Sequence, residues 1–199
     1  MRNRISYFLL LVLSAFLLTP LISEGCTTMI VTKGASSDGS VMVSHSDDND
    51  LIDQRIVLVP ARKHAAGDLR PVYCSAAAMG EFPKFNSFFY PRIVAGDRGA
   101  AYNTPGPRSI PLGKIPEVER TYAYFDGNYG IMNEHQLMFG ECTDGSRLTP
   151  EPEPGKRIFY SSELSRIALE RCRTARAAVI LMGKLIEEYG LYGTGETLP

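Results

Sequence analysis

Little tilts the charge of this 199-residue chain, since 21 Lys and Arg stand against 22 Asp and Glu for a formal net charge of -1. That balance gives no reason to expect nucleic acid or an anionic membrane surface as a partner. Cysteine is scarce too: Cys26, Cys74, Cys142 and Cys172 form no C-x-x-C pattern, so zinc-type spacing is missing and no metal or other cofactor is expected. The chain has no internal repeat or low-complexity tract, and no apolar run reaches the roughly 20 residues that span a bilayer. What is there is 44% hydrophobic and 22% charged residues, the balance of an ordinary globular protein of one or two domains.

The longest apolar run, 8–18, follows Arg2 and Arg4 and precedes Pro20 and small residues. It is too short for a span and has the form of a signal peptide. Ser23-Glu24-Gly25 then sets small residues at the two positions a signal peptidase reads, directly before Cys26. The expectation is a removed leader over 1–25, a secreted or periplasmic protein, and a mature chain that begins at Cys26. A rival reading is a surface lipoprotein or binding protein without catalysis, in which Cys26 carries lipid and membrane contact follows. Such sites usually hold a large apolar residue where this chain has Ser23, and Glu24 suits them poorly. With Cys26 reserved, three thiols cannot all pair. Buried free cysteine is the simplest reading of them, although export permits a disulfide.

Past Cys26, residues 27–32 are β-branched and apolar, 33–39 are turn material, and 40–44 are strand-like again, which predicts a hairpin that starts at the cysteine. Residues 54–59 predict a third strand, stopped by Pro60. Six prolines among many aromatics over 83–117 predict a long ordered loop region. Strands resume over 121–125 and 131–142 around the turn Asp126-Gly127-Asn128. Ser162 is the expected cap of one helix and Thr174 of another, which runs to Tyr189 with Val179, Met182, Leu185 and Ile186 on one face. No further strand is expected before Pro199. Strands followed by helices predict an α+β fold.

A cysteine at a chain terminus holds a nucleophile and a base in one residue. Its thiol titrates at about 8.5 and its α-amine at about 7.7–8.0. The amine can take the thiol proton and later return it to a leaving amine, which suits amide hydrolysis without a separate histidine.

The run C-T-T-M-I-V-T-K-G-A-S-S-D-G-S at Cys26 to Ser40 resembles the opening of the secreted dipeptidase family that includes dipeptidase A and the secernins. I-P-E-V-E-R-T-Y-A-Y at Ile115 to Tyr124 and G-I-M-N-E-H at Gly130 to His135 extend the likeness. V-S-H-S-D-D and R-I-V-L-V-P are more distantly similar to strands of the penicillin and bile-salt amidases. The resemblance implies an N-terminal-nucleophile hydrolase with an αββα sandwich, of which 26–199 would be the N-terminal part. It implies small peptides, above all dipeptides, as substrates, cleaved through a thioester on Cys26; N-acyl or bile-acid amides are the alternative.

Carried over position by position, Cys26 matches the nucleophile and Asp48 an acidic residue that orients the new α-amine. Asn133 matches an asparagine whose amide helps form the oxyanion hole. As plain sequence, Asp48 can be a solvated carboxylate and Asn133 a turn residue. Where relatives place an arginine this chain has His45, a substrate-binding candidate whose charge, unlike that of arginine, changes between pH 5 and 8. The acidic run Asp47-Asp48-Asn49-Asp50 lacks the glycine and terminal glutamate of a calcium loop. Glu134 and His135 read as structural, while Glu141 and Asp144 receive no role. Oligomeric state is not legible.

Overall fold

The computed structural model describes residues 26–48, 53, 55–74, 93, 95–103, 105 and 108–198. The expected leader, Asn49, Asp50, Gln54 and 83–92 lie outside the described residues.

The expected opening hairpin is present. β1 (Thr27–Val31) and β2 (Met42–Ser46) pair antiparallel, with Thr28 opposite His45 and Ile30 opposite Val43. Its turn is tied by the Ser36 hydroxyl donating to the Ser40 carbonyl at 2.8 Å and the Ser40 N–H donating to the Asp38 carboxylate at 3.0 Å. β3 (Val57–Val59) follows, then β4 (Arg62–Lys63) and β5 (Leu69–Tyr73). β6 (Pro111–Pro116), β7 (Arg120–Thr121), β8 (Tyr124–Asp126), β9 (Gly130–Asn133) and β10 (Cys142–Asp144) precede the helices α1 (Ser161–Arg171) and α2 (Ala175–Tyr189), and β11 (Gly195–Thr197) comes last. The named pairings are all antiparallel: β1 with β2, β3 with β8 with β9, β4 with β7, β5 with β6, and β10 with β11. Among the described residues the fold is a mixed one of antiparallel sheets and two α-helices.

Several expectations need correction. β6 lies inside the predicted loop: its prolines sit at the two ends of the strand, where a missing N–H is tolerated, and the register against β5 shifts near Tyr73, opposite Pro111. Residues 131–142 do not run as one strand. Asn133 Oδ1 accepts from the N–H groups of His135 and Leu137 at 3.0 and 3.1 Å, folding a tight turn in which Gln136 takes φ 62°. β11 pairs with β10 after the last helix, where no strand was expected. Ser162 is no cap either: Tyr160 is the N-cap residue of α1, and Ser162 lies buried in its first turn. Thr174 does cap α2, accepting from the Ala177 N–H at 3.3 Å.

The core gathers around α1, which crosses β9 and packs against α2. Leu164, Ile167, Ala168 and Leu169 are buried with Val59, Val72, Ile115, Tyr124 and Phe159, each large side chain contributing about 1.5–3 kcal/mol. The approach to β9 is close enough that a Cβ on Gly130 would meet Leu169 Cδ1 at 2.8 Å and the Arg166 nitrogen at 3.3 Å. The polar face of α1 is buried too. Glu163 takes Arg70 at 3.0 Å, Arg166 at 3.1 Å and Arg98, while Arg70 also grips Glu170 at 2.6 Å and Arg166 grips Asp126 at 3.0 Å. Burial opposes ionisation of Glu163, but the three guanidiniums outweigh it and hold the carboxyl well below the usual range.

Candidate active site

Cys26 immediately precedes β1 and is half-buried. What holds it there is the segment 140–142, laid against the hairpin. The Thr28 hydroxyl donates to the Glu141 carbonyl, and the Cys142 thiol donates to the Cys26 carbonyl at 3.2 Å. Gly140 permits this approach: a Cβ there would stand 2.6 Å from Thr28 Cγ2 and 3.0 Å from Val43 Cγ1. The sequence thus binds two distant segments through one glycine, one threonine and one cysteine.

The groups gathered at the sulfur are Asp47 and Glu141, whose carboxylate oxygens lie within 4.8 Å of it and of each other. Glu141 is fully buried, and the Thr143 hydroxyl donates to its carboxylate at 2.9 Å. Burial raises the Cys26 thiol above its ordinary value; the backbone N–H of Asp48, aimed at the sulfur, works against that, and Glu141 and Asp47 raise it further. While the cysteine stays inside a longer chain, its thiol is therefore protonated at neutral pH and a poor nucleophile. The three donor atoms are close enough together for one cation to bridge them, and that is all the geometry offers toward a metal.

A pocket of about 330 Å³ opens beside Asp47. Val43, Ile56, Ile131 and Phe139 make it apolar, and His45, Asp47 and Asn128 supply its polar groups. His45 comes from β2, where alternation turns it to the same face as Val43. Its ring meets Tyr129 edge-on with centroids 6.5 Å apart. Its Nδ1 and the Asn128 Oδ1 are both buried without a hydrogen-bond partner among the described residues, a demand that a ligand in the pocket can meet.

The expected site residues are thus brought together unevenly. Cys26 and His45 share the neighbourhood of Asp47. Asp48 contributes its backbone N–H, while its side chain is exposed. Asn133 is committed elsewhere: its two amide hydrogens go to the carbonyls of Leu169 and Cys172, at 2.9 and 2.8 Å, where they close the last turn of α1. In this arrangement no hydrogen of that amide is left for an oxyanion. Glu141 is the residue that sequence reasoning passed over. Only the fold puts 141 beside 26.

With this geometry in view, the comparison with known families falls on the right segment. Residues 25–82 match the model of peptidase family C69. The match holds Cys26, His45, Asp47 and Asp48, and over that stretch it bears out the resemblance to the dipeptidase family of cysteine peptidases. Asn133 and Glu141 lie beyond it. A peptidase family implies peptide substrates. No curated protein and no solved structure matches the chain.

Proposed function

We propose that this chain is an exported dipeptidase in which Cys26, made terminal by removal of 1–25, attacks the peptide carbonyl to form a thioester. The observation that carries the reading is the position of Cys26 inside the matched segment, at the start of a hairpin, with a backbone N–H on its sulfur and Asp47 shared between that sulfur and a pocket.

The chemistry follows from one residue. The terminal amine takes the thiol proton; the thiolate adds to the carbonyl carbon; collapse expels the amine product, which collects that proton. Water then cleaves the thioester. Asp48 is proposed to orient the amine and its N–H to steady the thiolate, and His45 to meet the substrate in the pocket. The αββα sandwich is part of the same proposal, with 26–199 as the N-terminal part of that domain. Exposed apolar side chains on the sheets support a further layer over them: Met29 is 61% and Leu58 60% exposed, and Met42 and Phe125 are also open.

The test is a substrate panel of dipeptides, N-acyl amides and bile-acid amides, run with the exported protein and with Cys26→Ala. The reading expects dipeptides to be cleaved and Cys26→Ala to lose at least about 10³-fold in kcat. Preference for the acyl amides would move the substrate class, and a Cys26 carrying lipid by intact mass would replace the enzyme with the lipoprotein.

A further inference from the structure

We propose that Glu141 is a positioning residue of the Cys26 centre, the buried carboxylate that receives the α-ammonium formed when the terminal amine takes the thiol proton. This rests on the reading that the working chain begins at Cys26.

The backbone nitrogen of a cysteine is three bonds from its own sulfur. A carboxylate within 4.8 Å of that sulfur therefore shares a small space with the amine that leader removal releases. Glu141 is built to stay there: it is 0% exposed, its carboxylate is gripped by Thr143, and its main chain is pinned to the hairpin by Thr28 and by the neighbouring Cys142. Asp47 adds charge from the half-exposed side. Where little water reaches, the attraction between a fixed carboxylate and an adjacent ammonium is stronger than in bulk solvent.

The catalytic cycle balances with Glu141 ionised throughout. The Sγ–H proton moves to the α-nitrogen, the C–S bond forms, and the proton then passes to the departing nitrogen as the C–N bond breaks. In the second half a water proton moves to the α-amine, the C–O bond forms, and the proton returns to sulfur as the C–S bond breaks. Glu141 serves as the buried carboxylate of a serine-protease triad serves its imidazolium, holding the charged intermediate without accepting its proton. It also explains why the same carboxylates keep the thiol quiet before processing: without an ammonium between them they act on the sulfur alone.

The experiment uses the whole exported protein, with its terminus confirmed by sequencing, and the variants Glu141→Gln, Glu141→Asp and Asp47→Asn. Alkylation of Cys26 by iodoacetamide is followed against pH by peptide mapping, alongside kcat and KM on a dipeptide. The other titratable groups around the sulfur, His45, Asp48 and Cys142, are left intact. Removing a carboxylate favours the thiolate, so Glu141→Gln is expected to move the alkylation midpoint down by about one pH unit. Its kcat is expected to fall about 10- to 100-fold with KM nearly unchanged, and Glu141→Asp to recover part of it. A wild-type midpoint and kcat in Glu141→Gln would overturn the proposal. If that variant does not fold, a wild-type midpoint and kcat in Glu141→Asp, which draws the carboxylate back by one methylene, overturn it equally. A shifted midpoint in a protein that cleaves no peptide would support Glu141 and overturn the peptidase reading instead.

Discussion

Glu141 and Glu163 are both fully buried, in neighbourhoods of opposite kind. Glu163 on α1 lies among the guanidiniums of Arg70, Arg98 and Arg166. Glu141, outside any helix, lies with Asp47 against a thiol. The first arrangement compensates its charge inside the fold and holds the elements around α1 in register. Around the second, burial first and then the two carboxylates raise the Cys26 thiol above its ordinary value. Equal burial therefore has different meanings, and the partner decides which carboxylate is structural and which is poised for chemistry.

The sharpest way to break this contrast is to remove Glu163. Glu163→Ala leaves Arg98 without its carboxylate and takes one of two from Arg70 and Arg166, which should cost about 3–5 kcal/mol, visible as a large fall in Tm, whereas Glu141→Gln should change Cys26 chemistry first. A comparable Tm for Glu163→Ala and wild type would erase the distinction.

Asn133 comes next in size. Its side chain joins β9 to the end of α1 and folds the turn at 135–137, so Asn133→Ala should destabilise by about 2–3 kcal/mol in thermal or urea melts. An unchanged melt with kcat reduced 10²- to 10³-fold would restore the oxyanion role expected from sequence.

Acid provides a graded version of the first test. The Glu163 carboxyl is held below its ordinary range, so its stabilisation is fully present above about pH 4.3, the value for an unperturbed Glu. It is lost progressively as pH falls below that. The difference in stability between wild type and Glu163→Gln should therefore shrink as melts are taken from pH 6 toward pH 3. A constant difference would show that Glu163 does not titrate as its neighbours require. The smallest effect belongs to Thr174→Ala, which removes one cap from α2 far from both carboxylates and should cost about 1 kcal/mol with no change at Cys26.

What the sequence made legible was local. Alternation and turn residues located the β1–β2 hairpin, and the Thr174 cap and apolar face located α2, because those patterns depend on neighbours a few positions apart. β6 was missed because its flanking prolines, compatible with strand ends, look like loop signals. The turn at 133–137 was missed because an asparagine side chain, not a Gly-Pro pair, folds it. At the site, Cys26 could be read from the apolar run before it and the motif beside it. Glu141 could not, since its role depends on a contact spanning more than a hundred residues, made possible by Gly140 lying flat on Thr28.

Under the proposed function, Cys26 works as the first residue of a mature chain. The direct measurement is dipeptide hydrolysis by the exported protein set beside a form carrying one added methionine before Cys26. The extension converts the α-amine into an amide without useful basicity and leaves His45, Asp48 and Glu141 in place. The account predicts that turnover disappears. An extended protein that works as well as the wild type would contradict it and assign the thiol proton to a histidine instead.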